Sequence, residues 1–177
     1  MKPKQKTLLS VITVIFMLMT GISVFAEDGT EEVEILTSGD YSYSVINGGA
    51  ILKEYTNFTE TVITIPQEID GYPVKALDKN LFYSKSDTDT SISKVIAEKV
   101  IIPASVEEIG TFAFYGCVNV KEYKVAEDSP AFCDVDGVMY DKNQKMLMAY
   151  PLASEATEYT VADGAIFIDY GTFSNCK

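Results

Sequence analysis

The chain contains no histidine and no tryptophan. All 14 of its basic residues are lysine, against 26 aspartates and glutamates, a net charge of −12. Without histidine, no Ser–His or Cys–His nucleophile can be built and no zinc site can use imidazole. Without arginine, the bidentate fork that reads guanine edges is missing. The negative balance repels polyanions such as nucleic acid, and it disfavours anionic membrane surfaces for the same reason. Cysteine is scarce, with three in 177 residues. The 11 glycines form no phosphate-cradling loop before a helix. These absences exclude histidine-based catalysis, imidazole metal sites and arginine readout.

What is present is an apolar pattern that fits neither regular period. In Val100–Cys117, reading VIIPASVEEIGTFAFYGC, Val100 and Ile102 alternate as on a short strand. Pro103 then ends the ladder, because it has no N–H to donate. Val106, Ile109, Ala113–Phe114 and Cys117 follow at spacings of three and four, as on a tight turn and a short 3₁₀ or α turn. A unit of this size cannot bury its own apolar faces against the entropy of ordering it, so it needs neighbours of the same kind.

Those neighbours are in the sequence. A shift of 23 lays Val120, Tyr123 and Val125 over Ala97, Val100 and Ile102. A shift of 59 lays Val161, Ala165, Ile168, Phe173 and Cys176 over Ile102, Val106, Ile109, Phe114 and Cys117. Backwards, Ile63, Ile65 and Pro66 match Val100, Ile102 and Pro103 at 37, and Val74, Leu77, Leu81 and Phe82 match Val106, Ile109, Ala113 and Phe114 at 32. The differences fall in a wider turn around Asp70–Pro73 and in the polar run Lys85–Ser93. Such a recurring unit with insertions at polar places marks a solenoid.

The pattern Val100, Ile102, Pro103, Val106, Ile109, Gly110, Ala113, Phe114 and Cys117 resembles the BspA-like leucine-rich repeats, as do IPQEIDGYPVKAL at 65–77 and VDGVMYDKNQKMLMAYP at 135–151. The resemblance covers residues 41–177. It implies a β-rich α/β solenoid of short parallel strands joined by short 3₁₀ or α turns. It also implies a bacterial protein that is secreted or held at the cell surface, since members of that family commonly serve as adhesins or interaction domains.

In chain order, residues 1–26 carry Lys2, Lys4 and Lys6, an uncharged apolar run, and Val24-Phe25-Ala26 before Glu27. This reads as a cleaved secretory signal peptide, the alternative being an uncleaved anchor. Its removal leaves 11 of the 14 lysines against all 26 acidic residues, so the exported chain is more acidic still. Residues 27–40 read as a disordered acidic leader. Residues 41–60 read as a hairpin around Asn47-Gly48, placed as an N-terminal cap. Residues 61–177 read as about four repeat units, with a hairpin inserted at about 132–151. The last layer is expected to show apolar surface, to be covered by further repeats or by self-association.

Candidate sites are few. Cys117 and Cys176 occupy one repeat position two layers apart, nearly 10 Å at a strand spacing of about 4.8 Å, which is too far for a disulfide. Cys133 either meets one of them or all three remain inert thiols. Asp134-Val135-Asp136-Gly137 and Asp87-Thr88-Asp89 faintly suggest calcium loops, but Lys145 stands where an EF-hand needs glutamate, and Gly137 reads more simply as a strand start. Glu107 and Glu108 are the formal pair for a glycan hydrolase working with carboxylates alone. No cofactor is implied. Tyr140 and Tyr150, on the inserted hairpin, either pack it onto the stack or face outward as a binding surface.

The expectation is a non-catalytic module contacting extracellular protein or glycan, with a structural spacer in a larger surface protein as the alternative and a hydrolase as the second. Nucleic acid and membrane surfaces are not expected partners.

Overall fold

The computed structural model describes residues 33–83, 95–173 and 176. The signal peptide expected at 1–26, the polar loop at 85–93 and the Asp87–Asp89 motif lie outside them.

Val62–Thr64 (β4), Lys99–Ile102 (β7) and Glu122–Val125 (β9) form one parallel sheet in the order β4-β7-β9. The register is the one the repeat spacing demands: Ile63 faces Val100, Val100 faces Tyr123, and Ile102 faces Val125. These strands form because Ile63, Val100, Ile102, Tyr123 and Val125 fall on the inward face of the two-residue period, and all five are buried while their strand neighbours are not. Units one, two and three are the segments that begin at these strands.

A second column carries the other half of each unit. Glu68–Ile69 (β5) and Tyr72–Leu77 (β6) form a hairpin, and Glu108–Ile109 (β8) pairs with β6 in parallel, with Leu77 opposite Ile109. N-terminal to them, Leu36–Ser38 (β1), Tyr41–Ile46 (β2) and Gly49–Tyr55 (β3) make an antiparallel meander. β3 continues the column by pairing in parallel with β6. The disordered leader expected over 27–40 is therefore corrected from Leu36 onward. There β1 satisfies its amides on β2, and Asp70 accepts hydrogen bonds from Ser38 Oγ (2.9 Å) and Tyr43 Oη (2.8 Å).

The inserted hairpin is a three-stranded meander. It comprises Phe132–Val135 (β10), Val138–Asp141 (β11) and Met146–Ala149 (β12), with Phe167–Ile168 (β13) added in parallel to β12. Gly137 does not start a strand. Asp136 and Gly137 are the two turn residues between β10 and β11, with φ of 51° and 80°. Asp70-Gly71, expected as a wide turn, is the same device, with φ of 49° and 86°. Both match Asn47-Gly48, the paired positive-φ turn that fits the twist of a hairpin.

The stretches expected as 3₁₀ or α turns contain no helix among the described residues. They are runs of single turns in which an amide bonds the carbonyl three residues back, as Ala113 to Gly110, Tyr115 to Phe112 and Cys117 to Phe114. Unit four repeats this wiring 59 residues later. Val106→Pro103, Ala113→Gly110 and Cys117→Phe114 recur as Ala165→Ala162, Thr172→Asp169 and Cys176→Phe173.

Unit four departs at its start. Val161, expected over Ile102, lies in irregular chain and packs on a second small core of Val138, Tyr140, Leu147 and Tyr150. The reason is local. The outward amides of β9 are taken by the inserted meander, Tyr123 N–H donating to Gly137 O (2.8 Å) and Val125 N–H to Asp134 Oδ1 (2.8 Å). No rung remains there for Val161. The main core runs through the rest of the stack, and its aromatic line passes from Tyr55 to Phe82 (5.4 Å), Phe114 (6.0 Å) and Tyr123 (5.0 Å).

Candidate interaction surface

Tyr140 and Tyr150 are not an exposed surface: they are 0% and 6% accessible. Of the two roles open to them, packing is what the structure shows. Tyr140 Oη is hydrogen-bonded to Tyr159 Oη and accepts the Ala162 amide (3.1 Å), while Tyr150 packs on Tyr159 (5.0 Å) and Phe173 (4.9 Å). A meander with its own core turns these rings inward, whereas a two-stranded projection would have left a face free. Burial raises the phenol pKa of Tyr159 well above its usual value, with the Tyr140 hydroxyl adding to it.

The other candidates resolve into structure. Asp134 spends its carboxylate on the Val125 amide and on Lys124 (3.2 Å). Glu107 is ion-paired with Lys75, and its neighbour Glu108 is exposed in β8. The three cysteines are free thiols: Cys117 buried, Cys133 half-buried, Cys176 exposed. Burial alone pushes the Cys117 thiol far above its ordinary range. Lysines and acids pair between layers, as Lys53–Asp78 (2.7 Å), Lys99–Glu122 (2.6 Å) and Lys121–Glu98 (2.9 Å). Exposed pairs of this type contribute about 0–1 kcal/mol each.

The surface that needs explaining lies where residues of unit four meet unit two. Ile166, Phe167 and Tyr170 are 68%, 62% and 77% accessible. By the shift of 59 they stand where unit two has Glu107, Glu108 and Thr111, all exposed. In unit two Glu108 lies on β8, which pairs with β6 on one side only. At these repeat positions unit two exposes polar side chains, and unit four exposes large apolar ones. Along the same edge runs a line of ring contacts: Tyr83 to Tyr115 at 5.7 Å, Tyr115 to Phe112 at 5.9 Å, Phe112 to Tyr170 at 5.3 Å. Between the Phe112 turn and the Asp169–Thr172 turn lies a cleft of about 40 Å³, also lined by Tyr115, Met148 and Tyr150. Sequence reasoning passed over Phe112 and Tyr170. The signal was available, since each departs from its repeat counterpart: Phe112 replaces Asn80 and Gly171, and Tyr170 replaces Thr111.

No family model matches the chain. No curated protein matches it either. Among solved structures, it is similar to a leucine-rich cell-surface protein from Faecalibacterium prausnitzii, with a TM-score of 0.53 and 25% identity, over 84% of this chain and 36% of that one. A leucine-rich repeat protein from Eubacterium ventriosum gives a TM-score of 0.49 at 15% identity, over 78% of this chain and 56% of that one. The pneumococcal vaccine antigen PcpA gives 0.45 at 12%, over 81% and 62%. The chain spans about a third of the first protein's length and under two thirds of the other two. Register and comparison agree: the chain has the leucine-rich repeat fold and is similar in structure to a bacterial leucine-rich cell-surface protein.

Proposed function

We propose that this chain is a non-catalytic interaction module, exported by the signal peptide at residues 1–26 and secreted or displayed on a bacterial surface. There it contacts extracellular protein or glycan through the edge that carries Ile166, Phe167 and Tyr170. One observation carries the reading: at positions where unit two is Glu107, Glu108 and Thr111, unit four is apolar and open to water. An exposed apolar cluster rimmed by polar residues costs solubility and is the usual mark of a contact surface. The fold supplies a rigid support for it. The hydrolase reading has less to rest on, because Glu107 is tied to Lys75 and neighbouring residues on extended chain project to opposite sides. The test is capture of surface proteins and glycans on arrays by the exported chain and by an Ile166→Glu/Phe167→Glu variant. Loss of binding in the variant with an unchanged melting temperature supports the module; equal binding by both moves the surface elsewhere.

A second reading, a spacer within a larger surface protein, is favoured by a different observation. Ile168 and Phe173 are exposed, whereas their counterparts Ile109 and Phe114 in unit two are half-buried. That difference fits an end face waiting for another layer. Binding to no array component, together with a gain in stability on appending a repeat after Lys177, is what this reading requires.

A further inference from the structure

We infer that the cleft between Phe112 and Tyr170 takes a lysine or arginine side chain from a segment of a partner protein. The inference rests on the interaction-module reading above and adds the chemistry of the partner.

Phe112 holds a left-handed backbone, φ 64°. The same repeat position is Asn80 (61°) in unit one and Gly171 (83°) in unit four. Glycine and asparagine reach this region at small cost, whereas other L-residues lose roughly 1–2 kcal/mol there. The fold therefore asks for a left-handed residue and has two unstrained solutions in the same chain, yet unit two carries phenylalanine. Strained residues of this kind concentrate at contact sites. The ring is what the strain secures. It stands perpendicular to Tyr170, interplanar angle 90°, and to Tyr115, 82°. Edge-to-face packing forms a corner that leaves aromatic faces with their negative quadrupole toward the solvent.

Asp169 lines the same cleft. Its Oδ1 accepts the Tyr170 amide at 2.8 Å, while Oδ2 has no protein partner among the described residues. No lysine lines the cleft, and the chain as a whole carries −12. Ring faces beside a half-free carboxylate, with no competing cation, form a site for positive charge. Arginine suits it best, since a guanidinium stacks on a ring and bonds a carboxylate with the same plane. Size argues for one side chain rather than a free small molecule, because the cleft holds about 40 Å³ and pockets for small ligands run to roughly 300–1,000 Å³. A neutral sugar could stack on Tyr170 but would draw nothing from Asp169.

The test uses the whole exported chain against immobilised arginine-rich, lysine-rich, glutamate-rich and Gly/Ser peptides of equal length, alongside a neutral glycan array. Binding to the basic peptides is expected, with arginine ahead of lysine, and it should weaken as salt is raised. Tyr170→Ala, Phe112→Asn and Asp169→Asn should each weaken it about tenfold, while melting temperatures confirm that the variants fold. Tyr170→Ala and Phe112→Asn leave the net charge unchanged. Basic-peptide binding that ignores both is unspecific attraction to an acidic protein and overturns the inference. Glycan binding that depends on Tyr170, without basic-peptide binding, overturns the cation site and leaves the module standing. Silence on every surface overturns both.

Discussion

Gly110 packs against the peptide between Asp78 and Lys79 so tightly that a Cβ in its place would lie 2.5 Å from the Lys79 amide nitrogen. The contact is between backbones of adjacent layers, and neither can turn aside as a flexible side chain would. Gly110 N–H also donates to Leu77 O at 2.8 Å, which fixes the separation. Gly110→Ala should therefore cost about 1–3 kcal/mol, read as a lower denaturation midpoint. An unchanged midpoint would show that the layers can part there without loss.

Phe82 and Phe112 should respond differently to substitution. Phe82 in unit one is fully buried and stacks on Phe114, so Phe82→Ala should remove about 3–5 kcal/mol. Phe112→Asn gives up half-buried ring contacts but relieves the left-handed strain, so the net change should stay within about 1 kcal/mol. Chemical denaturation of the two variants side by side checks both. A large loss for Phe112→Asn would mean that the ring packs the fold instead of serving a surface.

Thiol reactivity should follow burial. Cys176 is exposed and Cys117 is sealed in the core with its thiol held protonated by desolvation. Iodoacetamide should label Cys176 first, Cys133 slowly and Cys117 only after unfolding. Mass analysis of timed samples, without reductant, reads the order. A Cys117–Cys176 bridge would contradict the register.

Alkali should loosen the N-terminal half of the stack. Burial pushes the Tyr55 phenol up to about 12, with Asp40 and Glu60 adding to it, and Tyr41 is raised also. The unfolded phenol titrates near 10. A raised folded value means that the stabilisation is complete below about pH 10 and drains away as pH climbs towards about 12. Near-ultraviolet absorbance of tyrosinate against pH should show a delayed fraction that ionises with loss of the β signal. If all tyrosines titrate together near 10 with the fold intact, the burial assigned to Tyr55 is wrong.

At the acid end, Asp78 runs the other way. Burial would raise its carboxyl pKa, but the hydrogen bond from Lys53, the Lys79 amide and the charges of both lysines outweigh it and leave it lowered. That contribution is present above the ordinary carboxylate range and is lost as pH falls through the lowered folded value. Asp78→Asn should flatten the acid limb of a stability–pH curve, and an unaltered limb would count against the pairing.

The ladder was legible in the sequence because it depends on side-chain period alone. Ile63, Val100 and Tyr123 had to share a face, and Leu77 had to meet Ile109. What escaped was decided by backbone groups. Val161 matched Ile102 in spacing, but Gly137 O and Asp134 had already taken the amides of β9, and hydropathy carries no trace of that. The Asp70-Gly71 and Asp136-Gly137 turns were written as plainly as Asn47-Gly48, but their sequence neighbours suggested a loose turn and an ion loop. Tyr140 and Tyr150 could not be placed, because an isolated strand does not say which of its faces will find a core. Phe112 and Tyr170 stood out only once the copies were aligned position by position and the exceptions read.

The bonds from β9 to Gly137 and Asp134 also bear on crowding. A flat row of spare amides is an invitation for a neighbouring molecule's strand, and repeating sheets are especially prone to it. On that flank the invitation is withdrawn, because a tight turn and a carboxylate occupy the donors that a stranger would need. Copies packed at high density can therefore stand shoulder to shoulder on that side without fusing.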